Sequence, residues 1–347
     1  MNRDDLLYGT CLALTVFGAA EIILRFKDRS DNRIRFMHEK RTVVRSWERF
    51  DPLTGWELVP GYAADDIRIN RHGFRGPELM RGEKLRIMCL GDSNTFGPLE
   101  EKYTYPTVLQ EKLVKHRMSR PVEVINAGVT GHSTNNMLYR LKRLMSFKPE
   151  IIIISAGWND IYSEAIDKYT DNRNPYSSYW HFLSQKNIHC HVISKIREAA
   201  GITDRKPLPL SYSVDEFVPF NFEYNLKKIL TKIKKASIQP ALLTLPKLIP
   251  NALSRLTVEI KKKALLPDFL KDDDYKGFIK LYKSYDSVLR QVANELEIPL
   301  IDVVAHFNKL KDSRISYFED NRHLTPKGSK ALGEFVAESL IDKGIIQ

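Results

Sequence analysis

Cysteine is scarce and poorly placed for bridging. Cys11, Cys89 and Cys190 form an odd, scattered set from which no disulfide framework can be argued. The chain also lacks an internal repeat, a low-complexity tract and a glycine-rich loop that would cradle phosphate. Those absences exclude a solenoid, a biased linker and the common nucleotide-binding loops. The triplet His189-Cys190-His191 has the look of a metal cluster. Adjacent strand residues point to opposite faces, however, and no further Cys/His pair is near, so no metal is expected there and no cofactor is implied elsewhere.

Positive charge is in excess: the 347 residues carry a formal net charge of +11. Nucleic acid is the obvious partner to consider for such a chain, but the basic residues are dispersed and no zinc-finger or RNA-binding motif accompanies them. Lys227-Lys228, Lys232, Lys234-Lys235 and Lys261-Lys262-Lys263 read as solvated helix faces, and nucleic acid is not expected. Contact with anionic lipid is the better alternative.

Membrane contact is suggested by Leu6–Leu24, which is apolar apart from Glu21 and sits at the short end of a membrane span. A single-pass N-terminal anchor (1–30) competes with a cleaved signal peptide. Gly18 and Ala20 suit cleavage, while Asp4 and Asp5 spoil the basic leader that a signal needs, which favours the anchor. Arg25, Lys27, Arg29, Arg33, Arg35, Lys40 and Arg41 follow the span, so the positive-inside rule puts the rest of the chain in the cytoplasm.

A basic stretch, expected to be helical to about Phe50, leads into a turn-rich segment, Asp51–Arg81; together they form a leader (31–84). Trp56, Tyr62 and Phe74 are candidates to pack on the body, and Gly73 and Gly76 to make tight turns. Arg71, His72 and Arg75 are weaker candidates for contact with an anionic substrate.

From residue 85 to the C-terminus strand and helix patterns alternate. Apolar strands are expected at Arg86–Leu90, Val122–Asn126, Ile151–Ser155, Ala241–Leu245 and Leu300–Val304. Helices are expected near Thr104–Arg117, Asn135–Phe147, Phe222–Ala236, Tyr275–Leu296 and Pro326–Asp342. Continuous apolar strands between amphipathic helices predict a parallel sheet covered on both faces, an α/β domain over 85–347 with its site at the carboxyl ends of the strands. Insertions at about 163–218 and 248–274 follow strand ends on that side and are expected to cap a cleft.

Four segments at those strand ends carry the chemistry. In Leu-Gly-Asp-Ser-Asn-Thr-Phe-Gly, Ser93 follows a buried strand, rigidly held yet exposed at the sheet edge, as suits a nucleophile. The loop after the second strand holds Gly128 and Gly131, whose backbone N–H groups are free to face an oxyanion. Asn159 follows four consecutive isoleucines and offers a side-chain donor. Asp320 and His323 lie three apart on one loop, so the carboxylate can reach one imidazole nitrogen and leave the other to face Ser93. Thr325-Pro326 starts the last helix, keeping the pair outside it.

Together these blocks resemble the SGNH hydrolase superfamily, the GDSL-type esterases and lipases, over roughly Leu85–Ile341. The one departure is Asn94, which stands where the eponymous leucine would be. The resemblance implies a three-layer, flavodoxin-like α/β/α fold. It also implies a Ser93–His323–Asp320 triad, and an oxyanion hole from the Ser93 and Gly131 N–H groups and the Asn159 side chain. Asp92 and Asp160 read as turn-forming or supporting residues; Trp158 reads as lining an acyl pocket or as packing. The substrate expected is a small-molecule, polysaccharide or lipid ester. An O-acyltransferase would use the same residues, and a catalytically silent membrane-anchored binding protein would keep the fold. Anchored members of the superfamily often act outside the cytoplasm, against the charge argument. Oligomeric state is not readable.

Overall fold

A computed structural model describes residues 15–20, 45–51, 54–64, 66–116, 118–164, 218–267, 270 and 273–346. The chain divides into two units. One comprises residues 1–44 and 173–209, of which 15–20 are described, as helix. Among the described residues no helix is long and apolar enough to cross a membrane. Most of the expected span at 6–24, the insertion over 165–217 and His189-Cys190-His191 lie outside the described residues.

The second unit comprises residues 45–172 and 210–347. It opens with two antiparallel hairpins, β1 (Glu48–Asp51) with β2 (Gly55–Leu58) and β3 (Ala63–Ala64) with β4 (Ile67–Arg68). Residues 48–50 are therefore strand, not the end of a basic helix. Glu48 points inward and is buried, and a strand pairing with Gly55–Leu58 is what lets it do so.

Five parallel strands follow: β5 (Leu85–Gly91), β6 (Val122–Gly128), β7 (Ile151–Ser155), β8 (Gln239–Leu243) and β9 (Leu300–Ile301). Their order is β6-β5-β7-β8-β9. Between and after them run α1 (Ser93–Phe96), α2 (Tyr105–Lys115), α3 (Thr134–Met145), α4 (Phe220–Lys235), α5 (Val258–Lys263), α6 (Tyr275–Glu295), α7 (Val303–Lys309) and α8 (Pro326–Asp342). Helix α8 packs on α2, while α3 packs on α4 and α4 on α6. With right-handed crossovers, the β5–β6 connection covers one face and the connections from β6 to β9 the other. The three-layer flavodoxin-like α/β expectation is met. Ile151 to Ile154 are all buried, as a strand sandwiched between two helix layers requires.

Strand β6 runs two residues further than expected, to Gly128, and β8 and β9 also differ from expectation. Strand β8 begins at Gln239 and ends at Leu243, two residues early at each end. Pro240 is tolerated because it sits at the strand's start, before β9 joins. Strand β9 stops at Ile301 instead of running to Val304, because the Asp302 side chain accepts the Ala305 N–H at 3.0 Å and starts α7.

The chain leaves β5 towards β6 on one side and returns to β7 on the other, so strand order reverses beside β5. In open α/β sheets that reversal opens a crevice at the strand carboxyl ends. Ser93 stands at this point.

Candidate active site

The serine turn is built by neighbours with little freedom. A side chain at Gly91 would meet Thr95 Oγ1 at 1.9 Å, so only glycine lets the strand close on the turn. Asp92 caps α1: one carboxylate oxygen accepts the Asn94 N–H at 2.9 Å. Its Oδ2 is buried without a hydrogen bond, and burial pushes this carboxyl up, opposed by the Asn94 N–H and by nearby His323 and Arg322. Asn94 Oδ1 accepts the Leu324 N–H at 3.2 Å and so ties the serine turn to the histidine loop.

That loop is itself closed by the Phe318–Leu324 bridge and by a Glu319 N–H to His323 carbonyl bond of 2.9 Å. At its tip Asp320 Oδ1 accepts the backbone N–H groups of Arg322 and His323, both at 2.8 Å. Asp320 Oδ2 lies 2.6 Å from His323 Nδ1, and His323 Nε2 lies 2.9 Å from Ser93 Oγ. Burial alone would raise the Asp320 carboxyl, but the bonds from His323 and Arg322 outweigh it and hold it at about 2. An ionised carboxylate only accepts, so Nδ1 carries the proton. In the neutral imidazole Nε2 is then the nitrogen whose lone pair faces the Ser93 O–H.

Gly131 adopts φ 78°, a conformation that favours glycine, in the loop between β6 and α3. The Val129 N–H donates to the Gly91 carbonyl at 3.1 Å, pinning that loop to the end of β5. Asn159 lies past β7, and its Nδ2 donates to the His132 carbonyl at 3.0 Å, one residue from Gly131. Ser93, Asp320 and His323 are thus joined directly. Gly131 and Asn159 are joined to each other through His132, and their loop to β5 through Val129.

Asp160 and Thr325 support the fold as the sequence suggested, and of the two readings of Trp158 the structure shows packing. Asp160 accepts the Thr134 N–H at 3.1 Å and so caps the start of α3. Trp158 is packing: it is buried against Tyr162 and Tyr282, at 6.2 and 5.8 Å between ring centroids. Thr325 caps α8 by accepting the Gly328 N–H at 3.1 Å.

Arg75 does not face an anionic ligand. It is buried, donating to the carbonyls of Phe96 at 2.7 Å and Gly97 at 3.0 Å, over the Phe96 ring at 4.3 Å. Burial lowers its pKa to about 10, which leaves it charged at neutral pH. Arg71 is paired with Glu78 at 3.2 Å on the surface.

Sequence reasoning missed Asn321, which is buried inside the Asp-x-x-His loop. Its Oδ1 accepts the Ile249 N–H at 3.1 Å and its Nδ2 donates to the Tyr162 hydroxyl at 3.1 Å. The Asn94–Leu324 bond was also missed, although the departure from leucine at that position marked it out.

A model of the GDSL-like Lipase/Acylhydrolase family matches residues 89–331. The chain belongs to this family. The resemblance read from the four blocks is borne out, and the chain is an ester-hydrolysing enzyme. Among relatives of this GDSL-like acylhydrolase, "Uncharacterized lipoprotein YqeF" of Bacillus subtilis (strain 168) is 22% identical over 267 residues, covering 74% of this chain and 89% of the relative. An arylesterase of Vibrio mimicus is 34% identical over 79 residues, 22% of this chain and 38% of the relative. The crystal structure of the lipase/acylhydrolase from Enterococcus faecalis covers 76% of this chain and 97% of its own at 18% identity, with a TM-score of 0.46.

Proposed function

We propose that this enzyme is a serine esterase that cleaves carbohydrate O-acyl or lipid esters through an acyl-enzyme on Ser93. The observation that carries the reading is the two-bond chain from Asp320 to His323 to Ser93, at 2.6 and 2.9 Å. His323 Nε2 takes the Ser93 proton as Oγ attacks the ester carbonyl, and Asp320 steadies the imidazolium. The tetrahedral oxyanion is received by the N–H groups of Ser93 and Gly131 and by the Asn159 amide, which has a second N–H besides the one given to His132. Collapse expels the alcohol, which takes the proton from His323. Water then repeats the sequence: His323 removes its proton, the hydroxide adds to the acyl carbon, and Ser93 leaves with that proton, releasing the acid.

The arylesterase relative supports a first assay on aryl acetates. Residues 6–24 and the relative named as a lipoprotein support attachment of the enzyme to a membrane.

With p-nitrophenyl acetate, Ser93→Ala and His323→Ala are expected to lower kcat by at least about 10³-fold while the folded protein remains. Full activity in Ser93→Ala would overturn the reading.

A further inference from the structure

The hairpin β1–β2 precedes the family-matched residues 89–331 and belongs to no part of the five-stranded sheet. Yet it grips both neighbours of Gly131. Trp56 Nε1 donates to the Thr130 carbonyl at 2.8 Å. The Trp56 carbonyl lies 2.9 Å from His132 Nε2, and because a carbonyl only accepts, that nitrogen donates. The Thr130 hydroxyl donates to Glu48 Oε1. The Trp56 and His132 rings meet edge to face, with centroids 5.2 Å apart. Glu48, Trp56, Thr130 and His132 are all buried, so these bonds are made away from water, where losing a partner is costly.

The hairpin is fastened in turn to α3. Arg140 Nε donates to Glu57 at 2.7 Å, and Asn136 Nδ2 to the Thr54 carbonyl at 2.8 Å. His132 carries the constraint onward, since its carbonyl accepts from Asn159.

We propose that Glu48 and Trp56 are positioning residues for the oxyanion site. By fixing Thr130 and His132 they hold the Gly131 N–H and the Asn159 amide where the negative charge develops. The inference rests on the proposed roles of Gly131 and Asn159. Its physical basis is preorganisation: donors aimed in advance cost no reorganisation during reaction, and small misplacement is expensive. A glycine loop with positive φ has little stiffness of its own, and here the hairpin supplies it.

The test uses the full chain and p-nitrophenyl acetate, with phenylboronic acid as a probe whose tetrahedral serine adduct puts one oxygen in the oxyanion position. Trp56→Phe keeps an aromatic ring, though a smaller one, and removes the donor; Glu48→Ala removes the acceptor and Glu48→Gln restores one. Trp56→Phe and Glu48→Ala are expected to lower kcat on the order of 10-fold and to weaken phenylboronic acid by a similar factor, with KM little changed. Glu48→Gln is expected to recover most of that loss.

Unchanged kcat and boronate affinity in both Trp56→Phe and Glu48→Ala would overturn the proposal, as would a loss confined to KM. If Trp56→Phe does not fold, the Glu48 pair decides alone. Ser93→Ala separates the two levels. If it is inactive while the hairpin variants match wild type, only the positioning role fails. If it is fully active, the site reading fails and this inference with it.

Discussion

In the proposed mechanism, Asp320 is the residue on which the site's proton chemistry turns. An amide there presents a donor where Nδ1–H needs an acceptor and favours the wrong imidazole tautomer. Asp320→Asn is therefore expected to reduce kcat on the order of 10³- to 10⁴-fold, read in steady-state hydrolysis of an aryl ester. The same carboxylate stabilises the fold. Its folded pKa of about 2 lies below the ordinary ~3.9, so its contribution is complete above about pH 4 and is lost as pH falls through about 2. Melting curves should show wild type more stable than Asp320→Asn from neutrality down to about pH 4, with the gap closing below that.

The candidate residues Ser93, Gly131, Asn159, Asp320 and His323 could be picked out of the sequence because each sits where a buried strand ends or a helix begins. Asn94 and Asn321 were not. Their partners are the backbone N–H groups of Leu324 and Ile249, 230 and 72 residues away, and sequence spacing carries no trace of such bonds.

Among the elements, the long helices were read well, two of them from a threonine that marks the start, while the short α5 and α7 were missed although Thr257 and Asp302 cap them. Thr104 before α2 and Thr325 before α8 both accept a backbone N–H three residues on. Short strands at the sheet edge were read less well, because β9 ends on a cap and not on a change of hydropathy. The loop after β8 hides a further feature. Lys247 is buried there, donating to the Ile249 carbonyl at 2.6 Å and to Asn251 at 2.8 Å, over the Tyr282 ring at 4.6 Å. Nothing in the sequence separates it from the other dispersed lysines.

Burial, helped by repulsion from Arg314, lowers Lys247 to about 7. Between about pH 7 and the ordinary ~10.4 the unfolded chain binds a proton at this position that the folded chain does not, so stability rises with pH across that window. The stability of wild type relative to Lys247→Met is expected to improve from pH 7 to pH 10, as measured by urea denaturation at each pH. An unchanged difference would mean that Lys247 keeps its proton.

At the scale of the molecule, the parallel order β6-β5-β7-β8-β9 puts the strand-order reversal beside β5, and the serine with it. Alternation of apolar strands and amphipathic helices made that architecture legible. It did not reveal how far the leader belongs to the same body. Trp56, Leu58, Ile67, Ile69 and Phe74 are all buried. At about 1.5–3 kcal/mol each, exposing them removes on the order of 10 kcal/mol, comparable to the whole stability of a typical domain. A chain beginning at residue 45 is expected to melt cooperatively and hydrolyse aryl esters. One beginning at residue 82 is expected to do neither, by calorimetry and the same assay. The packing expected of Trp56 and Phe74 is met, but turn-rich composition concealed that Leu58, Ile67 and Ile69 join them, since apolar residues spaced among glycines show no helical or strand period.

The central claim is that Ser93 is a nucleophile activated by His323. Labelling of the folded protein with a fluorophosphonate probe, followed by peptide mapping, tests it most directly. The account predicts one adduct, on Ser93, that disappears in Ser93→Ala and falls sharply in His323→Ala. An adduct elsewhere, or labelling of Ser93 at the same rate without His323, would contradict it.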